Sequence, residues 1–443
     1  MRTVFLVFGV LAGCTHESRV INGLQRPVHV VGEPPQIRTL RERMNQLGVP
    51  SVSIAVFDHD QLDWAQGFGG VKTSTRFPAS SISKAVTASA TMRLVGEGRL
   101  ALDANVNTLL HGWQVADSEF TATEKVTLRR LLSHSAGTNM HAVKSFRIGE
   151  RVPTLIELLK DVHVEAIPGT EFRYSGGGVM IEQLVLEETL KRPFATLMNE
   201  LILMPFGMHD SEFTAKPEVP AVTPHDAKGT ELPTQIHPQL AADGLWTTPI
   251  DLLGWAQAIA HARAGQPSVL SKDAATQMLT VQQGPSGLGV FIEGEGAALR
   301  FGHEGSDDGF HSELIFFPPT GQGAAVMTNG AGGHALIREV LLAIAAEYHW
   351  PGFAPLEVTA IAVRDEAVGV YETTYEDFTL VVTITRVGDW LRVKVPLLAI
   401  DSDAVFTDAK TLMLLDSGDA IGVLADTIQI GKVQVPRRIP AVQ

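Results

Sequence analysis

Strand-like segments lie near both ends of the first 350 residues of this chain, and helical segments lie between them. Residues 51–57 and the segment ending at Trp64 have strand patterns, and the polar turn Asp58-His59-Asp60 lies between them, which predicts a hairpin. Later apolar runs separated by Gly- and Pro-containing turns indicate an antiparallel meander: 290–292, 298–301, 313–317 and 324–327. Apolar residues at helical spacing occur at 37–44, 82–95, 153–161, 178–190, 250–262 and 335–348. An antiparallel sheet built from both ends, with helices inserted, predicts an α+β fold.

The sequence changes in character after residue 350. A segment rich in Pro and Gly, 351–355, predicts a linker, and residues 356–443 then contain short strand-like runs with Gly-Asp turns. A chain of 443 residues exceeds the roughly 250–300 residues at which one hydrophobic core stops growing. We therefore expect a large domain at 36–350 and a small all-β domain at 356–443.

The first residues predict export and lipid attachment. A short apolar run from Thr3 to Gly13 is typical of a signal peptide and too short to span a bilayer. It ends at Leu11-Ala12-Gly13-Cys14, which resembles a bacterial lipoprotein cleavage box, so residues 1–13 are predicted to be removed and Cys14 lipidated. An incidental cysteine after an ordinary signal peptide is the alternative. Residues 14–35 show no sustained periodicity and are predicted to be a tether. In many bacterial lipoproteins an aspartate after the lipidated cysteine retains the protein in the inner membrane. Thr15 occupies this position here, so we expect the protein to be located in the cell envelope, on the outer membrane and facing the periplasm.

Charge and cysteine content exclude several function classes. The formal net charge of −14 leaves no basic stripe for nucleic acid, so no nucleic-acid partner is expected. The single cysteine excludes an intramolecular disulfide and a cysteine-based metal cage. Asp58-His59-Asp60 lies in a hairpin turn without further ligands at zinc-like spacing, so we predict no metal and no cofactor. The expected partners are a small-molecule or peptide substrate and a membrane reached through lipid; the sequence leaves the oligomeric state open.

Ser81 and Lys84 form the sharpest chemical signal in the sequence. They open a helical segment as Ser81-Ile82-Ser83-Lys84, and residues three apart share a helix face, so Lys84 lies beside Ser81 while Ser83 points away. A serine hydroxyl becomes a nucleophile when a neighbouring base takes its proton, and a helix N-terminus favours the negative charge that then develops. The alternative is a helix cap with a surface lysine.

Further segments follow Ser81 in a fixed order. They are Phe77-Pro78-Ala79-Ser80-Ser81-Ile82-Ser83-Lys84, Leu131-Leu132-Ser133-His134-Ser135-Ala136-Gly137, Phe172-Arg173-Tyr174-Ser175-Gly176-Gly177-Gly178, Ala242-Asp243-Gly244-Leu245-Trp246-Thr247-Thr248 and His303-Glu304-Gly305. Over residues 37–350 the chain thereby resembles the serine β-lactamase and penicillin-binding-protein family: class C β-lactamases, D-alanyl-D-alanine carboxypeptidases and family VIII esterases. This resemblance implies a β-lactamase-like fold with a helical subdomain, and the C-terminal part weakly resembles the lipocalin-like appendages of some relatives.

The resemblance also implies roles for individual residues. Tyr174 is the implied base that takes the Ser81 proton and later activates water. The backbone amides of Ser81 and Ser306 are expected to bind the oxyanion next to Gly305. His303 stands where relatives carry lysine or histidine and is expected to contact substrate, as a cation or as part of the proton network.

Gly176 departs from the family pattern. Relatives carry an asparagine at this substrate-contact position, and its side-chain amide binds the acylamido group of penicillins and peptides. Efficient β-lactamase activity is therefore not expected. The sequence leaves two functions open: a serine hydrolase that forms an acyl-enzyme on Ser81 and cleaves an ester, amide or D-amino-acid peptide, or a binding or sensing protein with little turnover.

Overall fold

The structure is a computed structural model. It describes residues 15–216, 222–375, 378–398, 400–431 and 433–438. The predicted signal peptide and Cys14 lie outside these residues. The helices are α1 (His16–Ile21), α2 (Leu40–Gln46), α3 (Ile82–Gly96), α4 (Leu128–Leu132), α5 (Leu155–Leu159), α6 (Gly176–Leu190), α7 (Phe194–Met198), α8 (Leu240–Asp243), α9 (Pro249–Arg263), α10 (Lys272–Met278) and α11 (Gly333–Glu347). No helix in this part of the chain combines the length and the apolar character needed to cross a lipid bilayer.

The strands fall into two main sheets and several short pairs. They are β1 (Val28–Val30), β2 (Val52–Asp58), β3 (Gln61–Phe68), β4 (Phe77–Pro78), β5 (Phe146–Arg147), β6 (Glu212–Phe213), β7 (Gln235–Ile236), β8 (Leu245–Thr247), β9 (Phe291–Glu293), β10 (Arg300–Asp307), β11 (Phe310–Phe317), β12 (Gln322–Thr328), β13 (Leu356–Val358), β14 (Gly369–Tyr375), β15 (Phe378–Val387), β16 (Trp390–Val395), β17 (Ile400–Phe406), β18 (Thr411–Leu414), β19 (Ala420–Leu424), β20 (Thr427–Ile430) and β21 (Val433–Pro436).

The first main sheet joins the two ends of the large domain. Its strand order is β3-β2-β12-β11-β10-β9, and every neighbouring pair is antiparallel. Side chains alternate between two cores: Ala325 and Met327 lie in the core that contains α9 and α3, whereas Ala324 and Val326 lie in the core that contains α11. The sheet is thus covered by helices on both faces, and the predicted α+β architecture is confirmed.

The second main sheet forms the C-terminal domain. Strands β14 to β21 pair with their sequence neighbours in one eight-stranded antiparallel meander. Its outer strands approach each other through a backbone bridge between Tyr371 and Arg437, which nearly closes a barrel around an apolar core of its own. The predicted small all-β domain is therefore confirmed as an antiparallel near-barrel.

The predicted tether at 14–35 is wrong over residues 15–30, which form secondary structure and pack against the rest of the chain. Thr15 caps helix α1, and Val20 and Leu24 are buried in the core that contains α11. Strand β1 then pairs in parallel with β13, so the segment connects the two domains. The sequence pattern did not show this because six helical residues and three strand residues are too few for a recognisable period, and their partners lie more than 300 residues away along the chain.

Buried ion pairs reinforce this junction. Arg43 of α2 donates to both carboxylate oxygens of Glu339 on α11, and the Glu339 side chain is fully buried. Arg26 reaches the C-terminal domain, where it pairs with Asp403 at 2.5 Å and with Asp416 at 3.0 Å. Charges from three parts of the chain therefore meet where the domains contact each other.

We predict that Glu339→Ala destabilises the large domain by about 3–5 kcal/mol, because it removes the carboxylate nearest to the buried Arg43 cation and leaves only Asp416, at 3.8 Å, to balance it. Urea unfolding of wild type and variant measures the difference. Glu200→Ala is the matched control, since its pair with Arg192 is half exposed and is worth at most about 1 kcal/mol. Equal losses for the two variants would contradict the assignment.

Candidate active site

The N-terminus of α3 places Ser81 and Lys84 together. Ser81 is the residue immediately before the helix, and Lys84 lies three residues later, in the first turn of the helix. Lys84 Nζ donates hydrogen bonds of 2.8 Å to Ser81 Oγ and to the Ala242 carbonyl oxygen. The lysine residue is only 4% exposed, so its ammonium group is held by these two oxygens away from bulk solvent. The spacing inferred from the sequence thus gives direct contact between the two side chains.

Strand β10 packs directly against the turn that precedes Ser81. A Cβ atom on Gly305 would lie 2.1 Å from the Ala79 carbonyl oxygen, so a larger residue does not fit at this position. Ser312, which pairs with Gly305 on the neighbouring strand β11, donates a hydrogen bond of 3.0 Å to the same carbonyl. Strand β9 pairs with β10 only as far as Gly302, which leaves residues 303–307 facing the cleft.

Tyr174 is held in the loop before α6. Arg173 N donates to the His134 carbonyl oxygen at 2.7 Å, and Ser175 N donates to His134 Nδ1 at 3.3 Å. The rings of His134 and Tyr174 are 4.3 Å apart, and Lys84 Nζ lies 5.4 Å from the Tyr174 ring centroid. His134 therefore supports the tyrosine from behind, while Tyr174 lies beside the Ser81–Lys84 pair.

His303 is neutral at physiological pH. Burial and the nearby Lys84 charge lower its pKa from 6.5 to about 4. Its Nδ1 lies 2.6 Å from the Glu304 carbonyl oxygen, which can only accept, so Nδ1 carries the hydrogen and Nε2 keeps a lone pair. Nε2 is buried and has no hydrogen-bond partner among the described residues. Of the two charge states considered from the sequence, the structure favours the uncharged one.

These side chains line one cavity of about 480 Å³. It brings together most of the residues singled out from the sequence: Ser81, Lys84, Tyr174, His303, Gly305 and Ser306. Gly176 does not line the cavity. A Cβ at Gly176 would lie 2.8 Å from Val143 Cγ1, and it is Val143 that lines the cleft instead.

Acidic residues at the same cleft were missed by sequence reasoning. Burial raises the pKa of Asp243 to about 6, and burial together with the Asp243 charge raises the pKa of Asp307 to about 8. His237 lies beside both carboxylates, at 3.2 Å from Asp243 Oδ2 and 3.8 Å from Asp307 Oδ1. Asp243 lies within the quoted segment 242–248, and Asp307 lies two residues after Gly305. An acidic residue in or near each of these two segments is the signal that could have identified them.

Comparison with known proteins agrees with this geometry. A family model described as Beta-lactamase matches residues 37–347. The chain belongs to the β-lactamase family. It is 28% identical over 341 residues to penicillin-binding protein 4 of Amycolatopsis lactamdurans, covering 69% of this chain and 89% of that protein. It is 26% identical over 318 residues to the esterase EstB of Burkholderia gladioli, covering 67% and 63% of the two chains.

One solved structure matches more of the chain than the large domain accounts for. The octameric penicillin-binding protein homologue from Pyrococcus abyssi superposes with a TM-score of 0.61, covering 89% of this chain and 98% of that chain. At 21% sequence identity this likeness shows a shared fold. The match therefore extends beyond the large domain into the C-terminal part of this chain.

Two features distinguish this β-lactamase-family cleft from the pattern expected of penicillin-recognising relatives. The space beside Gly176 is filled by the apolar Val143, so the cleft lacks a side-chain amide there. His303 is neutral where a lysine would carry a permanent charge. Both features make the substrate side of the cleft less polar.

We predict that the titration of His303 contributes to acid sensitivity. Below pH 6.5 the His303 side chain takes up a proton in the unfolded chain but not in the native state. The contribution of His303 to the free energy of unfolding is therefore complete above pH 6.5 and is lost as the pH falls towards 4. The difference between the two pKa values corresponds to about 3 kcal/mol. Denaturant unfolding at several pH values should show wild type losing this amount relative to His303→Asn between pH 6.5 and 4. Parallel curves for the two proteins would contradict the neutral assignment.

Proposed function

We propose that this protein is a serine hydrolase that forms an acyl-enzyme on Ser81 and cleaves an ester or amide. The observation that carries the proposal is the 2.8 Å contact between Lys84 Nζ and Ser81 Oγ at a helix N-terminus that lines a cleft. A surface lysine next to a helix cap, the alternative considered from the sequence, does not account for a lysine that is 4% exposed.

The proposed reaction has two steps. Ser81 Oγ attacks the substrate carbonyl carbon, and Tyr174, acting as a phenolate beside Lys84, takes the hydroxyl proton. The leaving group then departs with this proton, which restores the phenolate. The amides of Ser81 and Ser306 bind the oxyanion. Water then attacks the acyl group, gives up a proton to the same pair, and releases the acid while Ser81 regains its hydrogen.

One part of the cleft can hold an apolar acyl portion of the substrate. Val143 and Phe291 line it, and Phe291 lies 4.9 Å from the His303 ring. Without an amide at position 176 or a permanent cation at position 303, neither the acylamido group nor the carboxylate of a β-lactam meets its usual partner. Esters and D-aminoacyl amides are therefore the proposed substrate classes, ahead of β-lactams.

We predict that a fluorophosphonate probe adds once to wild type and not to Ser81→Ala, as measured by intact mass spectrometry. Ser83→Ala is the matched control: Ser83 lies in the same turn, but its Oγ accepts a hydrogen bond from Leu245 N in the protein interior, so labelling should remain.

Tyr174→Phe should lower turnover of a p-nitrophenyl ester by about 10²–10⁴-fold. Wild type should hydrolyse this ester faster than nitrocefin.

The alternative outcomes separate the two functions left open by the sequence. A stable adduct without turnover, or no adduct on folded wild type, would favour a binding or sensing role over hydrolysis. Faster turnover of nitrocefin than of esters or D-aminoacyl amides would overturn the proposed substrate preference.

We also propose that the protein acts in the cell envelope, attached through lipid on Cys14. The support is the apolar run that ends at Leu11-Ala12-Gly13-Cys14. Since packed structure begins at α1, such a lipid would hold the large domain close to the membrane surface. Expressed in a bacterial host, wild type should fractionate with the membrane, and Cys14→Ser should not. Equal distribution of the two proteins would contradict lipid attachment.

A further inference from the structure

His237, Asp243 and Asp307 meet at one side of the cleft although they come from separate parts of the chain. His237 follows β7, Asp243 ends α8, and Asp307 ends β10. One ligand-type atom from each residue lies within 4.8 Å of the others. Asp243 and Asp307 line the cavity that contains Ser81, but the hydrolytic steps proposed above do not use any of the three residues.

Their polar atoms lack the partners that burial requires. The Asp243 side chain is only 7% exposed, and its Oδ1 accepts no hydrogen bond from a described N–H or hydroxyl group, although the Asp307 carboxyl group lies within hydrogen-bond reach of Asp243. His237 Nδ1 is also buried, and Asp243 Oδ2 lies 3.2 Å from it without forming an aligned hydrogen bond. Buried polar atoms are rarely left in this state, because each costs free energy unless a proton, water or ion satisfies it.

The remaining contacts orient Asp307 towards this gap. Ser80, which directly precedes Ser81, donates a 2.8 Å hydrogen bond to Asp307 Oδ2. The other carboxylate oxygen, Oδ1, faces His237 Nε2 at 3.8 Å. Two carboxyl groups and one imidazole therefore converge, and the two carboxyl groups share a proton when no cation is bound. A bound cation would replace this proton.

We propose that this cluster binds a divalent transition-metal ion, with Zn²⁺ as the probe. One imidazole nitrogen and two carboxylate oxygens form a ligand set that suits zinc, whereas Ca²⁺ and Mg²⁺ prefer oxygen ligands throughout. Zinc bonds of about 2.0–2.2 Å place tetrahedral ligand atoms roughly 3.4 Å apart. Side-chain movements on the order of 1 Å would bring the three atoms from their present separation to this geometry.

Such an ion would connect the two elements that position the catalytic groups. Asp243 directly follows Ala242, whose carbonyl oxygen accepts a hydrogen bond from Lys84. Asp307 directly follows Ser306 on β10, and the Ser306 amide is proposed above to bind the oxyanion. Three protein ligands leave a fourth zinc position, and this position would face the cleft because both carboxylates line it. The ion therefore has a positioning role, and its open site would accept water or an anionic substrate group.

Isothermal titration of chelator-treated full chain with Zn²⁺ tests the proposal. Wild type should bind about one equivalent, and Asp243→Asn and His237→Ala should each weaken binding by at least about 10-fold. His163→Ala is the matched control, because His163 pairs with Glu165 on the exposed surface, and it should bind as wild type does. No stoichiometric binding, or binding that survives both cluster variants, would overturn the site.

Two further measurements keep the test independent of folding and of hydrolysis. Co²⁺ in place of Zn²⁺ should give visible ligand-field absorption that changes in His237→Ala, and a thermal melt shows whether each variant is folded. Ser81→Ala should bind the ion normally, so a failed hydrolase assay and a failed metal site are distinguishable. An unchanged Co²⁺ spectrum in folded His237→Ala would overturn the assignment of this ligand.

Discussion

The close approach of β10 to the turn before Ser81 is the constraint on which the rest of the site depends. Gly305 permits this approach because its hydrogen takes the place of a Cβ that would collide with the Ala79 carbonyl oxygen. Ser312 then satisfies that carbonyl from the neighbouring strand. The sheet, formed from both ends of the large domain, is thereby brought against the helix that carries the nucleophile, and the cleft lies where the two meet.

Burial shapes the electrostatics of this cleft. Lys84 keeps its contacts because Ser81 Oγ and the Ala242 carbonyl accept two of its hydrogens. The same cation, together with burial, keeps His303 neutral. The cleft therefore has one cation near the nucleophile and a neutral imidazole on β10.

The N-terminal segment has a structural role that its composition does not suggest. Val20 and Leu24 pack into the large domain, β1 pairs with β13, and Arg26 pairs with acidic residues of the C-terminal domain. Apolar contact, strand pairing and buried charge act together over fewer than thirty residues. The two domains are consequently joined through this segment as well as through the covalent linker.

The sequence by itself determined the features that depend on local spacing. The S-x-x-K face at Ser81 and Lys84, the hairpin, the meander and the change to an all-β domain follow from periods of 3.6 and 2.0 and from turn residues. Tertiary structure decided what depends on contacts distant in sequence: the packed segment at 15–31, the exclusion of Gly176 from the cleft by Val143, the neutral state of His303, and the meeting of His237, Asp243 and Asp307. The reason is physical, because burial and the distances between side chains of separate elements set these properties, and neither has a periodic trace in the sequence.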